Sequence, residues 1–438
     1  MRIGLRVEDG ACQGVMMAGQ TKVAEVSTRD AASLSDAAEQ TLNALSTTMG
    51  ANVGEIIVDV GRVLSSRPLS NVAVIRISPR PPADVFHTSK LPRIVEGIAT
   101  RIMHVRGGHD IRAHELAKLD LATFERNVAS LVQGHRNVAI TALGANSTDE
   151  HEARIADAIL AHDSDVRISI SHDFFANAFR DRDFTTTLNS ALMETGEYLA
   201  VCLEQLGHRY FPGAKVSFVK NDGGRASISH LAVRPVHALH PEPASQLVGL
   251  ALLSGQADGE IIVGSEHSVR AGTTRDGLPT STSLLRNVYE ASLATNAAAI
   301  EKYTAYHPVQ PLTPTTVVDL RLDRDGPLPF GLEPSFSTQD DAALIGCATA
   351  PWTAWIDRLE NVASKEDLQR VQRIAEEDAK SIVVQSGGSP VLTRVMEANS
   401  YALPYGNPGI VRVRVQAADN SEPGITALPA DCQQRVKA

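Results

Sequence analysis

The stretch 216–224 constrains the fold more than any other, because it is a short apolar strand that stops at Asn221, Asp222 and two glycines. The run 185–206 before it has leucines and alanines at helical spacing, and Gly207 is predicted to end that helix in a left-handed cap. Ligands of open α/β sheets gather at the carboxyl ends of strands. Asn221 and Asp222 are therefore the first candidates for a binding site, and a plain tight turn is the alternative.

Short β-branched runs alternate with helical runs along the chain, which is the pattern of an α/β fold with mixed or parallel sheets. The predicted strands cover 2–7, 14–18, 55–60, 72–77, 137–143, 166–171, 216–219, 260–263, 317–322, 382–385 and 410–415. The main predicted helices cover 30–48, 185–206, 244–254, 284–303 and 364–379. A capping-box spacing at 147–150 starts another helix, and its Glu152 is interpreted as a charge favoured by the helix dipole.

The composition is that of a globular protein, and it limits the classes of partner that the chain is expected to bind. With 438 residues, 43% of them hydrophobic and 21% charged, the chain has material for two or three domains. A net charge of −10 without a cluster of lysines and arginines disfavours nucleic acid as a partner. No apolar run reaches the length of a membrane span, and four scattered cysteines fit a reducing compartment, so a cytoplasmic location is expected. The cysteine spacing also predicts no metal cluster.

Two further side chains are candidates for chemistry. His172 follows the strand 166–171, where it is either a general base or a hydrogen-bonded turn residue. Arg182 lies in a dense run of alternating charges and either contacts a ligand or pairs with a neighbouring aspartate. His109 and Asp110 lie in a glycine-rich turn without a third ligand, so a structured turn is preferred over a metal site.

Several separated stretches form an ordered series through the chain. They are 106–110, the helix start at His151 and Glu152, 169–172, 182–191, 221–224, 234–236, 249–255 and the pair Gly387 and Gly388. Their order and spacing over residues 1–415 resemble the hydantoinase/oxoprolinase family, specifically its A-type subunit. The resemblance implies a two-lobed, actin-like and sugar-kinase-like fold of the ribonuclease H type, partly trimmed between 272 and 381. It also implies an N-terminal region over 1–170, an A-subunit region over 171–417 and a mobile tail over 418–438.

The activity that the resemblance implies is the opening of a cyclic amide, such as a hydantoin or 5-oxoproline, with the help of ATP and magnesium. The ring would be bound or polarised by four residues, Asn221, Asp222, Arg182 and His172. The nucleotide would contact another four, Gly387 and Gly388 over the adenine and Asp9 and Gly10 near the phosphates. Besides the small substrate, the resemblance implies a second, larger subunit and an oligomer as partners.

The chain departs from the family where ATP phosphates are held. Family members carry two loops of the form Asp-x-Gly-Gly-Thr-x-Thr-Asp, in which glycines admit phosphate to the backbone and carboxylates hold magnesium. Here Arg6 stands at the first aspartate, Glu8, Asp9 and Gly10 replace the glycines and threonine, and the second loop carries Glu266. Negative side chains repel phosphate, so ordinary ATP use is not expected. Two hypotheses follow: a cyclic-amide hydrolase without ordinary ATP use, and a non-catalytic scaffold or regulatory subunit of a hydantoinase- or carboxylase-type complex.

Overall fold

A computed structural model describes residues 1–48, 52–81, 97–265, 268–289, 291–302, 314–321, 328–403 and 409–419. Its helices are α1 (Leu34–Thr48), α2 (Gly61–Ser66), α3 (Leu121–Val132), α4 (Glu150–His162), α5 (Phe179–Tyr210), α6 (Ile228–Val233), α7 (Glu242–Ser254), α8 (Ala342–Thr349) and α9 (Lys365–Ser386). No helix within these ranges has both the length and the apolar character needed to cross a membrane.

The strands of the first half of the chain are β1 (Arg2–Glu8), β2 (Ala11–Ala18), β3 (Thr21–Thr28), β4 (Glu55–Asp59), β5 (Val72–Ser78), β6 (Ala99–Arg106), β7 (Asn137–Ala142), β8 (Arg167–Ile170), β9 (Lys215–Val219) and β10 (Arg225–Ser227). Those of the second half are β11 (Gly259–Gly264), β12 (Val269–Arg275), β13 (Leu278–Pro279), β14 (Ser281–Thr282), β15 (Leu285–Val288), β16 (Ala291–Leu293), β17 (Ala297–Ala298), β18 (Ile300–Lys302), β19 (Thr315–Asp319), β20 (Phe336–Ser337), β21 (Trp352–Asn361), β22 (Thr393–Ala402) and β23 (Ile410–Asp419).

Two of the sheets repeat one arrangement of strands. The nine-stranded sheet starts with the order β3-β2-β1-β4-β9 and continues through β10, β21, β23 and β22. In it, β1 to β3 are antiparallel neighbours, whereas β4 runs parallel to β1 and β9 runs parallel to β4. A second sheet has the order β13-β12-β11-β19-β20. Its neighbouring strands pair in the same succession, antiparallel for the first two pairs and parallel for the next two. These mixed sheets confirm the predicted α/β architecture, and the repeated arrangement relates the two sheets to each other.

Helices α7 and α8 join these two sheets. Apolar residues of α7 pack on β11 and β19, and those of α8 pack on β2. The two helices cross at Gly249 and Gly346, where a Cβ on either glycine would lie 1.8 Å from a backbone oxygen of the other helix. The oxygens belong to Ala342 and Ser245. Only glycine at both positions permits such a close approach of the two backbones.

A third, fully parallel sheet positions His172 at the end of one of its strands. Its order is β6-β5-β7-β8, with α3 and α4 packed on one face and α5 on the other. A buried ion pair between Arg76 Nη2 and Asp183 Oδ2, 2.8 Å apart, fastens β5 to α5. The strand β8 therefore ends close to the start of α5, and His172 follows directly in a single 3-10 turn, Ser171–Asp173.

Three predictions of local structure are wrong. The helix before β9 does not stop at Gly207 but continues to Tyr210, and Gly207 instead lets the helix approach Val216. The predicted helix 284–303 is a series of short strands, β15 to β18, in its described part. The predicted strand 382–385 is the last turn of α9, whose Val383 packs into the core beneath β21 and β23.

The last described strand reaches two residues into the predicted tail. Ala418 and Asp419 belong to β23 and are buried. The rest of that tail, 420–438, lies outside the described residues, as do Glu266 and His267 of the second hairpin. The proposed boundary near residue 170 stays a prediction.

Candidate functional site

A cavity of about 340 Å³ lies where the carboxyl ends of β8 and β9 face β21. This volume is at the lower end of the roughly 300–1,000 Å³ typical of small-molecule sites. The walls come from five parts of the chain, namely the turn after β8, the turn after β9, the helix α6 with the turn after it, the segment 283–296, and β21 with the end of α9. The polar and charged lining residues are His172, Asp173, Lys220, Asp222, His230, Arg234, His237, Ser283, Thr295, Asn296, Thr353, Asp357, Arg358 and Ser386.

The turn after β9 is built so that Asp222 points into this cavity. The Lys220 N–H donates to the Gly224 carbonyl at 2.7 Å and the Gly223 N–H donates to the Lys220 carbonyl at 3.0 Å, which closes the loop. Gly223 has φ +84°, a conformation that favours glycine. A Cβ on Gly224 would lie 1.9 Å from Thr353 Oγ1, so this glycine admits β21 against the turn.

The carboxylate of Asp222 is almost completely buried and accepts four hydrogen bonds. Its Oδ2 receives Trp355 Nε1 at 2.7 Å, Lys220 Nζ at 3.2 Å and Thr353 Oγ1 at 3.3 Å. Its Oδ1 receives only the Gly224 N–H, at 3.1 Å, among the described residues. Oδ1 therefore retains the capacity to accept one more hydrogen bond.

Asn221 holds the turn in place and does not line the cavity. Its Nδ2 donates to the Val236 carbonyl at 2.9 Å, and its Oδ1 accepts the His240 N–H at 2.8 Å. The backbone N–H of Asn221 donates to the His237 carbonyl, and its carbonyl accepts the Ala298 N–H at 3.0 Å. The residue thus ties the turn to two of the cavity walls, and its predicted part in catalysis stays a prediction.

The ring of His172 is oriented by two neighbours. Its Nδ1 lies 2.6 Å from the carbonyl oxygen of Ala145, and its backbone N–H donates to Glu152 Oε2 at 2.9 Å. A carbonyl oxygen only accepts, so the proton of the neutral ring is assigned to Nδ1. Nε2 is then the basic nitrogen of a side chain that lines the cavity.

Glu152 lies in the first turn of α4, as predicted, but it is a buried acceptor rather than an exposed charge. Its Oε1 accepts the Ala142 N–H at 2.8 Å and the Ser171 hydroxyl at 2.6 Å. Burial raises the pKa of this carboxyl to about 7, against the effect of these hydrogen bonds and of the Arg182 charge. The group fixes the ends of two parallel strands, and with them the position of His172.

Two histidines on the far wall share one hydrogen bond. His230 Nε2 lies 3.0 Å from His237 Nδ1, so one ring donates and the other accepts. Burial, and then the charges of Arg234 and Lys220, lower the pKa of His237 to about 3. Burial and the neighbouring His237, Arg234 and Lys220 likewise hold the pKa of His230 well below its ordinary value. Both rings are therefore neutral at pH 7.

The segment around Thr295 offers polar groups without partners. The Ala294 N–H donates to Thr185 Oγ1 at 2.7 Å, and Asn296 Oδ1 accepts Arg414 Nη2 at 3.1 Å, so α5 and β23 anchor the segment. Thr295 is 4% exposed, and its hydroxyl is buried without a hydrogen-bond partner among the described residues. Buried polar groups are nearly always satisfied, so an orphaned hydroxyl in a cavity wall indicates a ligand or a water.

Arg182 lies beside the cavity but its guanidinium is committed to the backbone. Nη1 donates to the Ala176 carbonyl at 2.8 Å and Nη2 donates to the Ala142 carbonyl at 3.2 Å. It does not pair with Asp183, whose carboxylate is bound to Arg76. The contacts of Arg182 fasten the chain between β8 and α5, and a contact with a ligand stays a prediction.

Gly387 and Gly388 end α9 and pack closely. Gly387 has φ +123°, and a Cβ there would lie 3.1 Å from the Trp352 ring. A Cβ on Gly388 would lie 2.7 Å from Val383. The two glycines follow Ser386, which lines the cavity, and their proposed contact with an adenine stays a prediction.

Asp9 and Gly10 lie at a different cavity, of about 600 Å³, beside the hairpin of β1 and β2. Arg67 Nη2 is 2.7 Å from Asp9 Oδ1, and Arg62 Nη1 is 2.5 Å from Glu8 Oε1. Arg62 also contacts Glu242 at 3.2 Å. Arg62 and Arg67 are therefore already paired with carboxylates, while Arg29 also lines this cavity.

Arg6 occupies the place beside this hairpin where a magnesium-binding carboxylate is expected. Its Nη1 is 2.6 Å from Asp341 Oδ2, and its Nε is 3.7 Å from the buried Asp59 Oδ2. Burial disfavours the Arg6 cation, but the hydrogen bond to Asp341 and the charges of Asp341 and Asp59 outweigh it and raise its pKa. The described residues of this hairpin thus do not fit ATP with magnesium.

Sequence reasoning found His172 and Asp222 of the cavity but missed several other lining residues. Lys220 adjoins the motif that was singled out, and Trp355 is one of only two tryptophans in the chain, so both carried a signal. Thr295 and the pair His230 and His237 carried none, because only the tertiary structure brings them to this wall.

Comparisons with known proteins bear on the fold. No protein-family model and no curated protein sequence matches the chain. The structure is similar to that of an ATP-dependent caprolactamase from Pseudomonas jessenii, with a TM-score of 0.71 and 10% identity over 98% of this chain and 89% of the other. It is also similar to a nucleotide-free acetone carboxylase, an enzyme of ATP-dependent acetone carboxylation, with a TM-score of 0.64 and 11% identity over 97% of this chain and 88% of the other. The chain therefore shares the mixed α/β fold of these two structures.

Proposed function

We propose that the chain binds a cyclic amide of the hydantoin type in the cavity beside Asp222 and opens the ring by hydrolysis. The observation that carries this proposal is the meeting of three groups in one small cavity. These are the oriented ring of His172, the spare acceptor of Asp222 and the unpartnered hydroxyl of Thr295. A ring amide presents a carbonyl oxygen beside an N–H, and this set offers a partner for each.

Each group has one task in the reaction. Asp222 Oδ1 accepts the ring N–H and so orients the amide. His172 Nε2 takes a proton from water while the water oxygen bonds to the carbonyl carbon. The carbonyl oxygen gains negative charge, which the hydroxyl of Thr295 and the amide of Asn296 stabilise. The carbon–nitrogen bond then breaks as the proton passes from His172 to the ring nitrogen, which leaves a carboxylic acid and an open chain.

The proposed reaction uses no phosphoryl transfer, because the hairpin of β1 and β2 does not fit ATP. In a hydantoin, one ring nitrogen lies between two carbonyl groups and forms an imide. The imide carbonyl next to the ring carbon is a better electrophile than the carbonyl of a simple lactam, and its hydrolysis gives the carboxylic acid. Hydantoins and related imides are therefore the rings for which water activation alone is sufficient.

A second function is favoured by the ion pairs of Arg6, Arg62 and Arg67. These three cations are bound to carboxylates of this chain, as in a protein that has replaced nucleotide contacts with internal ones. In this case the chain is a non-catalytic subunit that supports a catalytic partner of a hydantoinase- or carboxylase-type complex.

The two functions are separated by incubating the purified chain with hydantoin, with and without Mg-ATP, and measuring the open-chain product by chromatography. Hydrolysis is expected without ATP. His172→Asn keeps a donor for the Ala145 carbonyl but removes Nε2, and is expected to lower kcat by about 100-fold or more. His114→Asn is the matched control, because His114 is 76% exposed in its side chain and pairs only with Asp110.

Three outcomes would count against parts of this proposal. Turnover that needs ATP would contradict the interpretation of the hairpin. Equal turnover by the His172→Asn variant would remove His172 from the mechanism. Calorimetric binding of hydantoin without turnover under either condition would favour the non-catalytic subunit.

A further inference from the structure

We infer that the cavity selects uncharged rings and rejects rings that carry a carboxylate. This inference rests on the proposed function, and it names the substrate class of that site. The observation behind this inference is that the cations of the cavity wall are already paired with carboxylates of the chain.

Each cation of the wall has a carboxylate partner. Lys220 Nζ is 3.2 Å from Asp222 Oδ2 and donates also to the Thr353 carbonyl at 3.1 Å. Arg234 Nη2 is 2.7 Å from Asp173 Oδ1. The guanidinium of Arg358 lies 2.7 Å from Glu360 and 3.1 Å from Asp378.

Apart from His172, which the proposed reaction uses in its neutral form, the remaining charged and titratable groups of the wall add no free positive charge. The third lining carboxylate is Asp357, which is held by Arg412 from β23. His230 and His237 are neutral, since burial lowers the pKa of both rings. A ligand carboxylate would therefore have to break an existing pair or remain uncompensated, and a buried charge without a partner is strongly disfavoured.

The groups of the wall that lack partners are hydrogen-bonding groups. Thr295 Oγ1 and Arg234 Nε are buried without a partner among the described residues, and the charge of Arg234 is already matched by Asp173. Asn296 uses its Oδ1 for Arg414, which leaves the Nδ2 donors. Such groups suit the carbonyl and N–H groups of a neutral ring.

The test is calorimetric titration of the full chain at pH 8 with 5-oxoproline and with its primary amide. The two ligands share ring and shape and differ in one negative charge. The amide is expected to bind on the order of 100-fold more tightly, because only the acid leaves a charge uncompensated.

The variant Asp173→Asn tests whether the ion pair of Arg234 causes the expected selectivity. Asp173→Asn retains the size of the side chain but frees the charge of Arg234, so it is expected to strengthen binding of 5-oxoproline by about tenfold or more and to leave the amide unchanged. Glu377→Gln is the control, since this exposed carboxylate of α9 pairs with Lys380 away from the cavity wall.

The outcomes of these titrations distinguish failure of the inference from failure of the proposed function. Binding of the acid as tightly as the amide would overturn the inference and leave the proposed function standing. Failure of Asp173→Asn, with its fold intact by circular dichroism, to strengthen 5-oxoproline binding would overturn the role of the charge pairing. Failure of both rings, and of hydantoin, to bind would overturn the proposed function and the inference with it.

Discussion

Arg6 Nη1 lies 2.6 Å from Oδ2 of Asp341, a residue 335 positions later in the chain. Arg6 belongs to the first strand of one half, and Asp341 caps the helix α8 through the Leu344 N–H. The same guanidinium faces Asp59, whose pKa is raised by burial despite the Gly61 N–H and the Arg6 charge. One cation thus matches the charges of two carboxylates from distant parts of the chain.

Arg6→Ala is expected to lower the free energy of unfolding by about 3 kcal/mol, because it removes the cation that pairs with the buried Asp59. Urea denaturation followed by circular dichroism measures the loss. The double variant with Asp59→Asn is expected to recover part of it, since the uncompensated charge is then gone. Strict additivity of the two substitutions would contradict the coupling between Arg6 and Asp59.

Asn221→Asp is expected to lower the free energy of unfolding by about 2 kcal/mol, although the two side chains have the same shape. The aspartate still accepts the His240 N–H but places an oxygen against the Val236 carbonyl, where Nδ2 donates now. Thermal unfolding of the variant against wild type provides the measurement. Asn127→Asp on the exposed face of α3 is the control, and an equal loss in both variants would show that the position of Asn221 is not special.

Gly249→Ala and Gly346→Ala are each expected to destabilise the chain by about 3 kcal/mol or more, because the new methyl group meets a backbone oxygen that no side chain rotation can move. The predicted separations are 1.8 Å in both cases. Gly54→Ala, where a Cβ meets nothing within 4 Å, is the control. Wild-type denaturation midpoints for the two variants would show that the helices separate at little cost.

We expect Glu152 to make the free energy of unfolding depend on pH, and we expect Glu152→Gln to remove this contribution. The pKa of Glu152 is raised from 4.5 to about 7, so the folded chain binds this proton more tightly than the unfolded chain does. The stability contributed by the group is therefore complete below pH 4.5 and is lost as the pH rises through about 7. Between pH 5 and pH 8, the free energy of unfolding of wild type relative to Glu152→Gln is expected to fall by as much as about 3 kcal/mol.

Urea titrations at several pH values provide this comparison. The low pKa of His237 gives a slope of the opposite sign below pH 6.5, but both proteins share it and it cancels in the difference. A difference between the two proteins that rises with pH would mean that the hydrogen bonds to Glu152 outweigh the cost of burying its charge.

The strands and most helices were predictable, because the buried face of each element requires apolar residues at regular spacing and this spacing is visible in the sequence. The apolar run 216–219 and the β-branched run 410–415 form central strands as expected. The region 284–303 was not predictable in this way, since its leucines and alanines have good helix propensity. In the fold these residues pair as short strands beside α5 and the turn at Asn221, and this tertiary context overrides local preference.

The candidate site was predictable only where a residue follows a strand. His172 and Asp222 both do so, in two different sheets, and both line the same cavity. Asn221 and Arg182 were placed correctly near the site, but the sequence does not show that their polar atoms are used by backbone carbonyls. Thr295 belongs to the region 284–303, which was wrongly predicted as a helix. Its place in the cavity wall depends on tertiary contacts, which the spacing of apolar residues in the sequence does not show.

The crossing of α7 and α8 at Gly249 and Gly346 has a mechanical consequence for the first hairpin. Helix α7 begins with Glu242, the partner of Arg62, and α8 is capped by Asp341, the partner of Arg6. Since the two helices touch backbone to backbone at these glycines, a shift of one helix is transmitted to the other. A displacement of the pair away from the hairpin would break both ion pairs together, so the glycine contact couples the ion pair of the buried Arg6 to that of the exposed Arg62.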